Sequence, residues 1–384
     1  MKKRLAVALN MLSPYWHETF EELSRKGWDV SIFVATEKEK DRKYQHSNYS
    51  EYTFSVKKSY NFSIDLSRFG FKTRFFHFQM GLWKDLKKYK PDVILSNDLG
   101  FRTIVSLIYG KLHRVPVIPW ICVSSHTERK NSYLREAIRR CIVMNVPCVC
   151  TNMTEAKKYL VESLSIPPAK IYLTPYAVNV VAYNARVREK RRHASDLKKK
   201  LGLHGTVFLY VGQMIERKGL RQLIEVVLEL TDEYSERFSL LLVGGNLHLD
   251  LITAMKRKNI CYKNVSFVQP NDLSQFYAVA DAFIFPSLED EWGIVLNEAA
   301  ASGLPLISSI YAAATTDIVI DGVNGFQYDP FNKQQFSRVF TAFLDMPKQM
   351  RKSFGASSLK IVKEMDIGFT IAHMNQALKR AIKE

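Results

Sequence analysis

Residues 281–308 hold the side chains best suited to chemistry in this chain. Apolar runs at 282–285 and 304–307 predict two buried parallel strands, and residues 294–301 between them predict a helix. The acidic run Glu289-Asp290-Glu291 would lie beside the N-terminus of that helix. Backbone N–H groups and the helix dipole favour anions there, so the pattern predicts a phosphate-binding site.

Glu298 is the only charged residue of the predicted helix and stands next to Asn297 and three alanines. A carboxylate on an apolar segment is costly unless it has partners. A bound polar ligand is one such partner, and a nearby backbone group or arginine is the other. Spacing alone does not choose between them.

A second group of candidate residues follows the predicted strand 207–211, in the segment Gly212-Gln-Met-Ile-Glu-Arg-Lys-Gly219. Gly212 allows close backbone approach of a ligand. Arg217 and Lys218 would lie at the strand end that faces a ligand, where a cation can neutralise a departing diphosphate.

The elements that would position these residues suggest two α/β domains, an ordinary arrangement for 384 residues with 47% hydrophobic content. Strand 3–9, helix 15–26 and strand 28–35 make a βαβ opening, which predicts a parallel sheet with ligands at the carboxyl ends of its strands. We place the domain boundary near residue 180, ahead of a charged helix or linker at 187–200. Strand 207–211 then begins the second βαβ series.

Polar residues also follow the predicted strands of the first domain. Ser13 and Tyr15 lie in the first loop, Asp98 ends the strand at 91–98, and His126 follows the strand at 115–123. These strand ends are where a ligand is expected. For His126, a plain loop histidine is the alternative interpretation. His17 is interpreted as a loop or helix residue and not as a catalyst.

The chain is basic, with a formal net charge of +17, and the excess lies in the first half. Residues 1–180 carry 29 Lys and Arg against 16 Asp and Glu. A basic face attracts nucleic acid, anionic lipid or a phosphorylated substrate, and the net charge alone does not show which of these is the partner.

Five cysteines without a C-x2-C pair argue against a disulfide framework or a zinc site. We find no apolar run long enough for a membrane span or signal peptide, and we expect a cytoplasmic protein.

Residues 62–78 interleave phenylalanines with Arg68, Lys72, Arg74 and His77. This mixture suits a segment at an anionic membrane surface, with rings at headgroup level and cations on the lipid. The alternative is a helix face packed on the core with solvated charges opposite. Base stacking would use the same residues, but no nucleic-acid motif accompanies them, so we expect no nucleic-acid partner. The polar residues 36–60 before this segment are interpreted as a mobile insertion.

The spacing Asp290-x7-Glu298, followed by Ala-Ala-Ala-Ser-Gly-Leu-Pro, resembles the E-x7-E signature of retaining glycosyltransferases of family 4. The resemblance implies the α/β GT-B fold, with two Rossmann-like doubly wound parallel-sheet domains facing a central cleft. It implies that Asp290 contacts the transferred sugar and that Glu298 binds the ribose hydroxyls of the nucleotide. It also divides the chain into an acceptor domain, 1–180 with a C-terminal helix at 366–384, and a donor domain, 181–365.

The chain departs from the family pattern at two positions. Asp290 replaces the usual Glu, so Glu289 or Glu291 would supply the sugar contact if the loop shifts. Gln213 replaces an Arg that relatives place on the diphosphate, while Lys218 keeps its place. Either Arg217 compensates for that change or Gln213 donates a neutral hydrogen bond.

The resemblance assigns roles to a defined set of residues. As catalytic residues it implies Asp290, His126 and Lys218. As donor-binding residues it implies Gln213, Arg217, Lys218, Glu291, Trp292, Gly293, Ile294, Glu298 and Gln269, the last beside the base. As acceptor-binding residues it implies Ser13, Tyr15, Asp98 and His126. No metal ligands are expected.

The function that the resemblance implies is retaining transfer of a hexose from a nucleotide diphosphate sugar to a glycan or lipid-linked glycan. A UDP-sugar is the first choice of donor and a GDP-sugar the second, with no metal required. With the basic first half, this suggests synthesis of O-antigen, capsule or lipopolysaccharide at the inner membrane face. The alternative is a catalytically weakened scaffold or sugar-nucleotide-binding protein of the same fold.

Overall fold

The computed structural model describes residues 2–37, 52–65, 75–123, 133–152 and 154–383. The chain divides into two compact units. Unit 1 comprises Met1–Tyr176 and Gly368–Glu384, and unit 2 comprises Ala177–Ile367. Each is built around its own parallel sheet.

Unit 1 contains a seven-stranded parallel sheet with the strand order β3-β2-β1-β6-β7-β8-β9. Its strands are β1 (Lys3–Leu9), β2 (Trp28–Val34), β3 (Ser55–Lys58), β6 (Val93–Asn97), β7 (Val117–Ile121), β8 (Val149–Thr151) and β9 (Ile171–Leu173). A separate antiparallel pair is formed by β4 (Phe62–Asp65) and β5 (Phe75–Phe78). The helices are α1 (His17–Arg25), α2 (Leu82–Tyr89), α3 (Phe101–His113), α4 (Tyr133–Met144), α5 (Thr154–Glu162) and the C-terminal α16 (Ile367–Lys383), which begins at the last residue of unit 2.

Unit 2 contains a six-stranded parallel sheet with the order β12-β11-β10-β13-β14-β15. Its strands are β10 (Thr206–Val211), β11 (Phe238–Val243), β12 (Tyr262–Val265), β13 (Ala282–Phe285), β14 (Leu306–Ser309) and β15 (Gly325–Tyr328). Its helices are α6 (Val180–Arg191), α7 (Ala194–Lys200), α8 (Leu220–Leu228), α9 (Asp232–Ser235), α10 (Leu249–Arg257), α11 (Ser274–Val279), α12 (Ile294–Ala301), α13 (Thr315–Ile318), α14 (Lys333–Asp345) and α15 (Lys348–Lys363).

The central strands of both units are apolar because helices cover both faces of a doubly wound sheet. Every residue of β10, β11 and β13 is buried. In both sheets the strand order reverses once, between β1 and β6 in unit 1 and between β10 and β13 in unit 2. The carboxyl ends of the strands at such a reversal leave a crevice that accepts ligands.

Some predicted elements differ from the structure. The apolar run at 265–269 predicts a strand, and this prediction is wrong, because β12 ends at Val265 and Gln269 caps a short 3-10 helix, Pro270–Asp272. The sequence also predicts a strand at 143–151, but only its last part forms β8, because α4 continues to Met144 and residues 145–148 are irregular. Buried Val143 belongs to this helix, and a short apolar run does not distinguish helix from strand.

The aromatic and basic segment at 62–78 is not a helix where the structure describes it. Residues 62–65 and 75–78 pair as antiparallel strands, and Arg68, Lys72 and Arg74 lie outside the described residues. The insertion predicted at 36–60 is also partly ordered, because β3 pairs with β2 at the edge of the sheet. The rest of that insertion, 38–51, lies outside the described residues.

Candidate active site

Two loops of unit 2 carry the predicted donor residues, and both leave the sheet at its reversal of strand order. One loop follows β10 and contains Gln213, Arg217 and Lys218, and the other follows β13 and contains Asp290. Since β10 and β13 are paired neighbours, their carboxyl ends bring the two loops together. The strand order thus explains how residues more than seventy positions apart in sequence meet.

Lys218 and Asp290 form an ion pair between these loops. Both side chains are largely buried, with exposed fractions of 11% for Lys218 and 15% for Asp290. The Lys218 ammonium also lies 5.5 Å from the centre of the Phe285 ring. A cation and a carboxylate are therefore held at the ligand-facing edge of the sheet, each balancing the other's charge.

Close approach of the two loops depends on Gly219, which follows Lys218 with φ +69°. A Cβ atom at this position would lie 1.8 Å from the carbonyl oxygen of Pro286, so only glycine fits. The loops are joined by backbone as well, because the Leu288 N–H donates to the Arg217 carbonyl at 2.8 Å. The geometry of the ion pair is therefore set by backbone and not by flexible side chains alone.

The Asp290 loop is also anchored on the segment that follows β14. The Asp290 N–H donates to the Tyr311 carbonyl at 3.1 Å, and the Ala313 N–H donates to the Asp290 carbonyl at 3.1 Å. Beneath the loop after β10, the hydroxyl of buried Tyr210 donates to the Gln213 carbonyl at 2.7 Å. Burial, and after it the charge of Asp290, raises the pKa of Tyr210, so that it stays a neutral donor.

Helix α12 begins directly after this loop. Gly293 caps it with φ +93°, and a Cβ there would lie 2.9 Å from the Phe285 ring. The buried Trp292 indole N–H donates to Asn297 Oδ1 at 2.9 Å, which ties the loop to the first turns of the helix. The helix N-terminus is thereby fixed next to the ion pair, where its N–H groups favour an anion.

Glu298 lies in the interior of unit 2, with 1% of its surface exposed. Its carboxylate accepts a hydrogen bond of 2.8 Å from the Tyr277 hydroxyl of α11. The Tyr277 ring packs edge-on against Tyr183, with centroids 5.9 Å apart. Burial, followed by the Glu298 charge, raises the pKa of Tyr183 well above its usual value. The partner seen here is a tyrosine, which the sequence did not single out.

Two buried polar groups near Glu298 have no hydrogen-bond partner within the described residues. They are the Asn297 side-chain nitrogen and the Tyr183 hydroxyl. Unpaired buried polar groups are rare in native structures and tend to occur at functional sites. Asn297 was noted in the sequence only as the neighbour of Glu298, and Tyr183 belongs to no recognisable motif.

The remaining donor candidates surround the ion pair less closely. Arg217 is exposed and donates to the Glu289 carbonyl at 3.3 Å, Glu291 is exposed, and Gln213 and Ile294 are partly buried. Gln269 lies at the cap of the 3-10 helix after β12, and two strands, β11 and β10, separate β12 from β13. The structure therefore groups Lys218, Asp290 and Arg217, with Glu298 behind them on α12.

The acceptor candidates of unit 1 lie at its own reversal of strand order. Ser13 and Tyr15 follow β1, and Asp98 follows β6, which is paired with β1. Asp98 adopts φ +72°, accepts the Gly100 N–H at 2.6 Å and lies 3.3 Å from the Arg102 guanidinium. Its carboxylate is therefore held at the strand end by a backbone donor and a cation. His126 lies outside the described residues.

His17 is a buried residue of α1 whose Nδ1 lies 2.9 Å from the Tyr52 hydroxyl. Burial lowers the pKa of His17 to about 4, against a smaller opposing effect of Glu21. Its ring is therefore neutral in the folded protein at neutral pH, as expected for a packing residue and not for a base near pH 7.

We expect His17 to make folding stability depend on pH. Because its pKa falls from about 6.5 in the unfolded chain to about 4 in the folded one, its contribution is complete above pH 6.5 and is lost on acidification towards pH 4. The upper bound is about 3 kcal/mol. We expect urea unfolding at pH 7.5 and pH 4.5 to show that acidification lowers the free energy of unfolding less for His17→Gln than for the wild type. The matched control is His113→Gln at an exposed position. An NMR titration of His17 near pH 6.5 would contradict the prediction.

Across the described ranges, no three His, Cys, Asp or Glu side chains are grouped so that they could hold a metal ion. Lys218 and Arg217 provide positive charge at the same strand end. The prediction that no metal is required stays a prediction. In the part of the chain that the structure describes, no helix is both long and apolar enough to cross a bilayer.

Two Rossmann-like units with these strand orders define the GT-B fold, and solved structures of that fold cover almost the whole chain. A glycosyltransferase from Rickettsia africae superimposes with a TM-score of 0.77 over 100% of both chains at 14% identity. Anabaena HepE in complex with UDP gives 0.75, covering 98% of this chain and 99% of that one at 15% identity. A model of "Glycosyl transferases group 1" matches residues 193–360, and one of "Glycosyltransferase Family 4" matches residues 13–181. The chain belongs to glycosyltransferase family 4.

Relatives in sequence are distant and differ in their substrates. The D-inositol 3-phosphate glycosyltransferase of Corynebacterium glutamicum is 26% identical over 301 residues, 72% of this chain and 70% of that protein. The lipopolysaccharide glucosyltransferase WaaG of Escherichia coli K12 is 29% identical over 153 residues, 40% of each protein. The chain spans about half the length of several curated relatives, such as 45% of the Bacillus subtilis spore coat protein SA.

Proposed function

We propose that this protein is a retaining hexosyltransferase that moves a sugar from a nucleotide diphosphate sugar to a glycan or lipid-linked glycan. The observation that carries the proposal is the Lys218–Asp290 ion pair at the ligand-facing end of β10 and β13. It supplies one cation for a diphosphate and one carboxylate for a sugar, side by side. Family membership supports the same reaction class.

In this proposal the diphosphate enters between Lys218, Arg217 and the N-terminus of α12, and it replaces Asp290 as the anion beside Lys218. The bond between the anomeric carbon and the diphosphate oxygen breaks, and a bond from that carbon to the acceptor oxygen forms. The acceptor proton passes to a donor phosphate oxygen. Positive charge at the site stabilises the leaving diphosphate without a metal, as fixed electrostatic groups do in other transfers.

The donor we propose first is a UDP-sugar, followed by a GDP-sugar. UDP is supported by the shared fold with HepE, whose structures are described as complexes with UDP and with UDP-glucose. Asp290 would contact the sugar and Glu298 the ribose, with Asn297 and Tyr183 adding buried polar groups near that carboxylate.

For the acceptor we propose a glycolipid of bacterial surface polysaccharide synthesis, handled at the inner face of the membrane. Support comes from the similarity to WaaG, a lipopolysaccharide glucosyltransferase, and from the basic first half of the chain. Ser13, Tyr15, Asp98 and His126 are the residues we assign to acceptor binding.

The test is a thermal-shift panel with UDP, GDP, ADP, dTDP and CMP, each with and without EDTA. A diphosphate at about 100 times its dissociation constant should add about 2.7 kcal/mol to the free energy of unfolding. We expect a response to UDP that EDTA does not change. A response that EDTA abolishes would contradict the metal-free proposal, and no response to any nucleotide would contradict nucleotide binding by the free enzyme.

The second candidate function is a sugar-nucleotide-binding scaffold with weakened chemistry. It is favoured by Asp290 and Gln213, which replace the acid and the cation of the family pattern. Donor hydrolysis separates the two functions, because a scaffold binds the nucleotide sugar without breaking the anomeric bond. Release of UDP from UDP-glucose, UDP-galactose or UDP-N-acetylglucosamine would support the transferase.

A further inference from the structure

Helix α3 of unit 1 carries a row of aliphatic residues on its exposed side. Its buried positions are Tyr109, which joins the core, and Arg102, Thr103, Ser106 and Gly110, which are polar or small. Its exposed positions include Ile104, Ile108 and Leu112, with exposed fractions of 40%, 52% and 67%. A helix that only served the core would place its aliphatic residues inward. The outward aliphatic residues therefore need an explanation outside the core of unit 1.

The inward face of α3 leaves no room for a larger residue at Gly110. A Cβ on Gly110 would lie 2.4 Å from the Val115 carbonyl oxygen. Ser106 donates to the Arg102 carbonyl within the helix at 2.8 Å, and Thr103 pairs with Ser96 of β6 at 2.8 Å. The helix thus packs closely through Tyr109 and through small and polar groups, while Ile104, Ile108 and Leu112 form an exposed row at spacings of four residues.

Two neighbouring helices extend this exposed surface. Leu107 of α3 packs against the core cluster containing Leu82 and Leu86 of α2, and also against the cluster containing Ile142 and Val143 of α4. The three helices therefore lie side by side on one face of the sheet. Helix α4 adds further exposed apolar residues, namely Tyr133, Ile138 and Met144.

The charges on this surface are almost all positive. Helix α2 exposes Lys84, Lys87 and Lys88, and the end of α3 exposes Lys111 and Arg114. Of the two acids on α2, α3 and α4, Asp85 is buried and paired with Lys57 and Ser59, which leaves Glu136 as a partly exposed acid. Exposed aliphatic residues bordered by cations are the pattern that binds an anionic bilayer surface.

We propose that the outer face of α2, α3 and α4, with Ile104, Ile108 and Leu112 at its centre, docks unit 1 on an anionic membrane. The aliphatic row enters the boundary between headgroups and acyl chains, and the lysines bind lipid anions. At 13 residues, α3 is too short to span a bilayer, so it lies along the surface. This inference rests on the membrane location proposed above, but not on the transfer reaction.

The experiment is flotation of the full chain with vesicles of phosphatidylcholine alone and vesicles containing about 30% phosphatidylglycerol. We expect Ile108→Gln/Leu112→Gln to bind the anionic vesicles at least about tenfold more weakly than the wild type. The reason is that two aliphatic side chains that would be buried in the bilayer are lost. The matched control is Leu249→Gln/Val181→Gln, which changes two exposed apolar residues of unit 2 and should bind as the wild type does.

A second pair of variants tests the cations. Lys84→Gln/Lys88→Gln should lose most of the preference for anionic vesicles and much of its salt dependence, whereas Lys256→Gln/Lys258→Gln in unit 2 should keep both. Wild-type protein that ignores anionic vesicles, or α3 variants that bind them normally, would overturn the inference. So would a wild-type dimer that the α3 variants convert to a monomer without any change in vesicle binding.

Thermal-shift responses to UDP separate this inference from the proposed function. The α3 variants should keep the wild-type response, because the changed residues lie in unit 1 and away from the strand ends. Vesicle binding without any nucleotide response would leave the docking surface standing and remove the transferase proposal.

Discussion

Replacing Lys218 with Met should lower kcat for sugar transfer by about 10²- to 10³-fold, the range seen when one fixed electrostatic donor is removed from a transition state. Methionine is unbranched and nearly as long as lysine, so it fills most of the same space beside the Phe285 ring but carries no charge. In the proposed reaction the diphosphate then leaves without the buried cation of the site, and exposed Arg217 is screened by water. Steady-state transfer from UDP-glucose, or from the donor that the thermal-shift panel selects, measures the effect.

The control for Lys218→Met is Arg221→Met, which removes an exposed cation three residues further along. Arg221 pairs with Asp250 on the surface at 2.8 Å, so we expect kcat to stay within about twofold of the wild type. Lys218→Met also leaves Asp290 largely buried without its cation, which should destabilise the fold by a few kcal/mol. In Lys218→Met/Asp290→Asn the lost stability should return while activity stays low. Full activity in the single variant would refute the role of Lys218.

The sequence predicts the part of the site that lies on loops after parallel strands. Alternation of apolar runs and helices indicates parallel sheets, and parallel sheets place the loops after their strands at one edge. Helix α12 was predicted with its observed bounds, since Gly293 and Ser302 flank a short apolar segment. The sequence indicated Lys218 and Asp290 as separate candidates. The structure shows that they form an ion pair, because β10 pairs with β13 and brings the two loops together.

What the sequence did not reveal depends on contacts between elements distant in the chain. Tyr277 meets Glu298 because α11 and α12 lie together in the fold, and no local spacing records that contact. The exposed aliphatic row of α3 could not be predicted from the sequence for a related reason. Ile104, Ile108 and Leu112 look like a core face in a helical pattern, and only the close approach at Gly110 shows that they point outward.

The two segments considered for membrane binding illustrate the same difference. Residues 62–78 drew attention because aromatic and basic side chains are dense there, and their described parts pair as two strands. The surface on α2, α3 and α4 is assembled from three separate segments, each ordinary by itself. Composition identifies a dense segment, whereas a surface shared by neighbouring helices requires the sheet order that places them side by side.

Glu298→Gln should weaken UDP binding by about 10- to 100-fold, because a carboxylate that accepts ribose hydroxyls forms hydrogen bonds worth about 1.5–3 kcal/mol. The amide keeps the shape of the side chain and removes its charge. Isothermal titration calorimetry with UDP and with 2′-deoxy-UDP tests the contact itself. The wild type should bind the deoxy compound more weakly than UDP, and Glu298→Gln should discriminate less between them. Equal discrimination by both proteins would show that Glu298 does not contact that hydroxyl.

Tyr277→Phe shows whether the hydroxyl on Glu298 acts through that carboxylate. We expect a loss of UDP affinity of about tenfold, since the carboxylate loses the donor that orients it. Added to Glu298→Gln, the same change should cost little more, because the two groups are coupled. The matched control is Tyr234→Phe, whose hydroxyl also donates to a carboxylate, Asp345 at 2.9 Å, but on the surface. Additive losses of UDP affinity in the double-mutant cycle would mean that Tyr277 acts on packing alone. Non-additive losses, with an unchanged Tyr234→Phe control, would mean that Tyr277 holds Glu298 in position for the ribose.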